Sequence, residues 1–435
     1  MILELLFVFA IIIFSNIAKP YKLLCLLFLL IPWHTFLKVF LFGDGGTMFS
    51  LWKEIIMLFL FLRIPHVNPL TSKLSRLLLF MAAYFVVFGI IGAVQGFPPL
   101  QDFRQYLLPT LLIIASANIT LDYKELRTIL YSIFIGSILI NLTGVVDFAF
   151  PVLRIPMRAM MGVDFFVDPD GTIVYESGAY QMMRMDRVAG LLGPNQMGLY
   201  NAIVILFMFI AMRMGFIQNK KDKLVFYTTG ALAAFCLLFS FSRAGWLIDA
   251  ITFLFLGLKM KKYRKTIIQL SFVAIIVFVI AFFQVEIVNK LITGTFSGEE
   301  ASAASRGSMT QDAFSVLLSN PFGVGLGATN LGVGKGFYAA ESALINLGIS
   351  AGIIGVFMYL YQFLYIYRKT KITASVNIIA EISAPFVCTF VLVSFISLTT
   401  VGNPFIYFAA FLMGMGLNSI VGTNIIYSGM VRNRR

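Results

Sequence analysis

Apolar stretches close to twenty residues long recur along the chain, and they limit its fold more than any other feature. "MILELLFVFAIIIFSNIA" (1–18) opens the sequence, and "TIIQLSFVAIIVFVIAFF" (266–283) is equally unbroken. About twenty apolar residues in a helix reach across the hydrocarbon core of a bilayer. Such a run, repeated, commits the chain to a bundle of membrane-spanning helices. Hydropathy places about thirteen spans (12–14), near 2–18, 23–41, 51–64, 77–95, 105–118, 128–148, 190–212, 224–241, 244–258, 267–285, 341–366, 376–398 and 404–421. The composition agrees, with 59% hydrophobic and 12% charged residues, against about 25% charged in soluble domains. The fold class read here is all-α, a polytopic membrane bundle forming a single integral domain over 1–435. The first run has no basic segment before it and meets Lys-Pro-Tyr-Lys and a second span at once. It therefore reads as a span and not as a cleaved signal peptide.

The net charge of +13 could suggest a nucleic-acid partner, but its distribution argues against one. "KPYK", "RIPHVNPLTSKLSR", "DYKELR", "RMGFIQNKKDK", "KMKKYRK", "RKTK" and "RNRR" hold 22 of the 33 Lys and Arg. Asp122, Glu125 and Asp222 are the only acids among them. Alternate connectors carry most of the remaining acids, so the positive-inside rule puts the basic set in the cytoplasm. Two longer polar segments, roughly 149–189 and 286–340, then lie outside, each expected to carry short helices. Within the second, "TFSGEEASAASRGSMTQDAFSVLLSNPFGVGLGATN" reads as a polar loop, a short capped helix and a Pro/Gly turn. Cys25, Cys236 and Cys388 sit in apolar runs far apart and read as packing. His34 and His66 have no ligand spacing, so neither metal nor cofactor is indicated.

The remaining charges gather at the outer ends of spans. Arg243 sits in "FSFSRAGW", a tight turn whose nearest acid, Asp249, falls nearly on the opposite face of a helix. Arg184 and Arg187 stand at the mouth of "QMMRMDRVAGLLGPNQMG", Arg306 lies in the last outer loop, and Glu341 begins the eleventh span. An Arg at a span end commonly snorkels to headgroups, and a carboxylate at a helix start commonly serves the helix. Together, however, cations on the cation-poor side invite an anion, and the guanidinium fork suits phosphate. "GVGLGATNLGVGKGF" lacks the GK[ST] ending and the strand context of a nucleotide loop, so it reads as a tight turn near the site. "DPD" at 168–170 likewise reads as a turn.

Four stretches in order then resemble the O-antigen ligase and Wzy-type polysaccharide polymerase superfamily. They are "RVAGLLGPNQMGLY", "LLFSFSRAGWL", "SRGSMTQDAFSVLLSNPFGVGLG" and "ESALINLGISAGIIG", all in the C-terminal half. The resemblance implies a C-type glycosyltransferase fold in the bacterial inner membrane, with its active site on the periplasmic face. Donor and acceptor would be oligosaccharides linked to undecaprenyl diphosphate. Arg187 and Arg243 would hold the diphosphate, with Arg306, Arg184, Asn195, Lys335 and Ser242 lining the substrate site. Membrane lipids surround such an enzyme, and a chain-length regulator is a further partner of the class. The ligase branch has an outer-loop His about eleven residues before the first Gly of the closing Gly-x-x-Gly. Counting back eleven from Gly352 reaches Glu341, followed by Ser342. A carboxylate can take a proton from an attacking sugar hydroxyl, which favours polymerase over ligase transferring glycan to lipid A core. A flippase for the same lipid-linked sugars would place charges along a central path. Here mid-span charges are few (Lys38, Asp249, Glu4), which favours chemistry at one surface.

Overall fold

The computed structural model describes residues 2–42, 48–64, 69–153, 187–259, 301–329, 340–374, 377–402 and 404–418, with short pieces at 156–157, 160, 165–167, 173–175, 264–265 and 269. In chain order the helices are α1 (Ile2–Ile17), α2 (Pro20–Leu30), α3 (His34–Phe42), α4 (Trp52–Leu62), α5 (Pro69–Val94), α6 (Leu100–Tyr106), α7 (Leu108–Asn118) and α8 (Tyr123–Ala149). They continue as α9 (Pro194–Arg213), α10 (Lys220–Phe239), α11 (Arg243–Lys259), α12 (Ala301–Ser319), α13 (Ala343–Thr373), α14 (Ile378–Ile396) and α15 (Phe405–Leu417). The all-α expectation needs one amendment, because β1 (Phe165–Val167) and β2 (Ile173–Tyr175) pair as an antiparallel hairpin. Aromatic and β-branched residues on either side of Asp-Pro-Asp-Gly favour it.

Among the described residues, seven helical segments are long and apolar enough to cross a membrane: Pro20–Phe42, Thr71–Val94, Tyr123–Ala149, Pro194–Arg213, Lys220–Phe239, Ala343–Thr373 and Ile378–Ile396. Ile2–Ile17 and Phe405–Leu417 are shorter apolar helices. The protein is thus a multi-pass membrane bundle. The span expected at 267–285 lies outside the described residues. Proline explains where a helix is interrupted: Pro32 lacks an N–H, and a 3-10 turn over Ile31–Trp33 joins α2 to α3. The loop helix α12 has 19 residues, longer than the short helix read from the sequence.

The core forms around α15, in which every residue is buried. A helix apolar on all sides belongs in the interior. Phe408 meets Phe28 with ring centroids 4.8 Å apart and Tyr200 at 5.3 Å. A Cβ at Gly414 would lie 2.6 Å from the Ile113 carbonyl, and one at Gly416 would lie 2.5 Å from Ser383 Oγ. Small residues therefore set how closely α15 approaches α7 and α14. At the far end of α15, Asn377 Nδ2 donates to Met415 and Asn418 carbonyls, each at 2.9 Å. Helices on the outside show the reverse pattern, with Leu79 and Phe80 of α5 largely exposed, as a lipid-facing surface requires.

The two ends of the bundle are built differently. At the end bearing the basic connectors, Asp122 with Glu125 and Asn219 with Asp222 form capping boxes that start α8 and α10. Ion pairs complete it: Arg127–Asp222 at 2.7 Å and Arg213–Glu381 at 2.9 Å. The opposite end gathers residues 187–195, 240–243, 340–342 and 394–402.

Candidate active site

The segment "RVAGLLG" leading into α9 is fixed from below by α8. Asp147, fully buried, accepts from the amides of Ala189 at 3.0 Å and Gly190 at 3.1 Å. Thr143 accepts from the Leu191 amide at 3.3 Å. Gly190 has φ +52°, and a Cβ there would lie 2.6 Å from Thr143 Oγ1 and 2.8 Å from the Gly144 amide, so only glycine fits. Pro194 then opens α9, where a missing N–H costs nothing. The Val188 amide donates to Phe239 O at 2.8 Å, which ties this segment to the end of α10.

Arg187 carries the junction further. Its Nε donates to Ser240 O at 2.7 Å, and its Nη2 donates to Asn195 Oδ1 at 3.0 Å and Phe241 O at 3.3 Å. One guanidinium thus binds the start of α9 to the α10–α11 turn. A lysine, with no planar fork, could not make this set of bonds in the same geometry.

That turn is strained. Phe241 has φ +48°, the one non-glycine residue with positive φ among the described residues. Such a conformation costs about 1–3 kcal/mol for a bulky side chain and persists where its surroundings enforce it. Here they do. Arg187 holds the carbonyls on both sides of Phe241, and Trp246 Nε1 donates back to Leu237 O at 3.0 Å. Ser242 is buried and caps α11: its Oγ accepts from the Gly245 amide at 3.4 Å and donates to Asn195 O at 3.2 Å. Gly198 of α9 lies against Ser242, and Gly245 of α11 lies against Gly198, where a Cβ would come within 2.7 Å of the backbone. Arg243 is the first residue of α11, partly exposed. A cation there opposes the positive end of the helix dipole, which would instead favour an anion. The sequence reading put Arg243 in a two-residue turn; the structure moves the turn to Ser240–Ser242 and makes Arg243 the opening residue of a helix.

Glu341 stands just before the Ser342 cap of α13, outside the helix and not in its first turn. Ser342 Oγ accepts from the Ile345 amide at 3.3 Å and donates to Ser394 O at 3.5 Å. On the other side, Asn346 holds Ala340 twice, accepting from its amide at 2.7 Å and donating to its carbonyl at 2.9 Å. Glu341 is therefore fixed at both neighbours.

A connector that sequence inspection passed over joins these parts. The 3-10 turn Leu398–Val401 receives a bond from Gln196 Nε2 to Thr399 O at 3.0 Å, while Thr400 Oγ1 lies 3.0 Å from Ser394 Oγ. A continuous path therefore runs from Glu341–Ser342 through Ser394, Thr400, Thr399 and Gln196 to Asn195, Arg187 and the Arg243 turn. Asp147 and Gln196 were also missed. Their one signal was a carboxylate near the end of an apolar span and an amide in the first turn of another, both easily read as ordinary.

The Gly-rich stretch forms a strap. Val324 and Gly325 amides donate to Ile349 and Ser350 carbonyls at 2.8 and 3.0 Å, and Ile353 donates to Pro321 O at 2.9 Å. These bonds replace helical ones across a break in α13 at Gly352, whose φ of 71° and ψ of 177° interrupt the helix. Gly327 N donates to buried Asp102 at 2.7 Å, which anchors the strap to α6. Arg306 lies on α12, with its side chain outside the described residues; Arg184 and Lys335 lie outside them altogether. His34 packs in the N-terminal half, accepting from Trp52 Nε1 at 3.1 Å, with Lys53 Nζ 3.3 Å from its other ring nitrogen.

Residues 228–360 match the family model described as O-antigen ligase. Over that stretch the chain is similar to the O-antigen ligase family. The matched part, just under a third of the length, contains the Arg243 turn, Arg306, the strap and Glu341, whereas Arg187, Asn195 and Gln196 precede it. Members of this family are glycosyltransferase-like enzymes. No curated protein matches the chain.

Proposed function

We propose that the protein is a polysaccharide polymerase. It would join oligosaccharide repeat units carried on undecaprenyl diphosphate, at the extracytoplasmic face of the bacterial cytoplasmic membrane. The observation that carries this reading is the bonded path that brings Arg187, Arg243 and Glu341 to one end of the bundle. Arg243 contacts the donor diphosphate, helped by the positive end of α11. Arg187 fixes the strained turn that presents it and adds its charge to the site. In transfer, the acceptor sugar oxygen bonds to the donor's anomeric carbon as the bond to the diphosphate oxygen breaks. Negative charge grows on the diphosphate, and fixed guanidinium groups stabilise it more in the transition state than in the ground state. Glu341 takes the proton from the attacking hydroxyl.

The reading is tested with full-length protein in lipid nanodiscs and one lipid-linked repeat unit as donor and acceptor. A ladder of longer glycans without added nucleotide is expected. A single transfer to lipid A core, with no ladder, would make the protein a ligase. The family model covers that second activity, but Glu341 at the position of the ligase branch's His favours the first.

A further inference from the structure

We infer that the groove between α12, the strap and the α5–α6 turn is the subsite for the acceptor glycan, and that it selects neutral or amino sugars over acidic ones. This rests on the transfer reading above and names where the second substrate's carbohydrate lies. The groove has a volume of about 510 Å³, within the range of sites for small ligands. One wall is the exposed face of α12, with Asp312, Ser315 and Ser319 at helical spacing and Asn320 just beyond. Its floor is apolar, formed by Val316, Val324 and Ile349, with the Phe97 ring at the side.

The hydrogen-bonding polarity of that wall identifies the ligand. Ser315 Oγ donates to Gln311 O at 3.0 Å, Ser319 Oγ donates to Ser315 O at 2.8 Å, and Asn320 Nδ2 donates to Val316 O at 3.1 Å. Each hydroxyl has one proton, and here it is turned back into the helix. What lines the groove is therefore weighted towards acceptors, two hydroxyl oxygens, the Asn320 carbonyl oxygen and the Asp312 carboxylate, with the Gln95 amide and the second Asn320 N–H as the donors. A ligand that fits must bring donors on one edge and an apolar face for the floor and Phe97. A sugar ring has both. An acyl chain would leave the wall's polar groups unpaired, and a phosphate or uronate would meet the Asp312 charge and a row of acceptors.

The groove also leads to the reaction centre. Ile349 and Val324 pack in one apolar cluster with Ala313 and Ala340, and Ala340 immediately precedes Glu341. The strap that forms the floor is bonded to α13 across its break and to Asp102, so the groove is held rigidly relative to the base. A glycan lying along α12 would bring its terminal hydroxyl towards Glu341, while its own lipid diphosphate stays away from Asp312.

The test replaces the chromosomal gene in the producing strain with Asp312→Lys, Phe97→Ala or Asp312→Asn, and reads the native glycan ladder on a gel. Each purified full-length variant, in nanodiscs, is also assayed by native mass spectrometry for binding of sugar-free undecaprenyl diphosphate. Asp312→Lys and Phe97→Ala are expected to cut long-chain glycan at least tenfold while binding undecaprenyl diphosphate within twofold of wild type. Asp312→Asn, which keeps an acceptor oxygen, should retain more than half of the long-chain glycan. A wild-type ladder from both Asp312→Lys and Phe97→Ala would overturn the subsite. So would a ladder lost together with diphosphate binding, which would mean that these residues only hold the fold. An unchanged ladder in the deletion strain would remove the transfer reading itself, and this inference with it.

Discussion

The two ends of the bundle handle charge in opposite ways. At the basic end, arginines meet carboxylates: Arg127 pairs with Asp222 and Arg213 with Glu381, and Tyr131 also donates to Asp222. At the other end, Arg187 donates to two backbone carbonyls and the Asn195 carboxamide. A guanidinium shared among several backbone and amide oxygens is fixed in both position and orientation. The first arrangement suits an end that only anchors helices. The second fixes the turn that opens α11, the end that we propose binds the lipid diphosphate. The Phe241 strain and the cation at the start of α11 occur at that same end, where each costs stability that a purely structural turn would not need.

Substitutions at matched positions sharpen this contrast. The largest effect is expected from Glu341→Gln, since losing a general base typically costs about 10²–10⁴-fold in rate. The ladder assay should show that loss with little change in thermal stability, because the neighbours Ala340 and Ser342 are held by other residues. Retained activity would remove Glu341 as base. Next is Asp147→Ala, which leaves the buried Ala189 and Gly190 amides without their carboxylate at a cost of about 1–3 kcal/mol per group. It should lower the melting temperature and also reduce activity, because the segment carrying Arg187 loosens. The smallest effect is expected from Glu381→Gln at the basic end. A partly exposed pair contributes about 0–1 kcal/mol, so melting should shift slightly and the ladder should not change. A Glu381 variant as inactive as the Glu341 one would break the comparison.

Much of this was legible in the sequence. Runs of twenty apolar residues fix helices in a membrane whatever their packing, and the alternating Lys/Arg content separates two ends. The Ser-Arg-Ala-Gly turn stood out because an arginine between two apolar spans is rare. What could not be read was contact. Nothing local marks Gln196 as the bridge to Thr399, or Asp147 as the acceptor beneath Gly190, since each bond spans dozens of residues. The interruptions in helices were not read: hydropathy gives 23–41 as one span, although Pro32 lacks the N–H that an unbroken helix needs there. Gly352 did not announce the break in α13, because its cause is the strap bonded across it, a tertiary partner. Phe241 shows the same limit, as its φ of +48° is imposed by Arg187, 54 residues earlier.

The central claim is that Arg243 binds the lipid diphosphate as a fixed fork and not merely as a positive charge. Its most direct test is the ladder assay on purified Arg243→Lys and Arg243→Ala proteins, each shown to be folded by its melting curve. Loss of one fixed donor to a developing negative charge typically costs about 10²–10³-fold. Both variants should fall by about that factor, with lysine rescuing little because it makes one contact where arginine makes two. Normal ladders from both the lysine and alanine proteins would contradict the account.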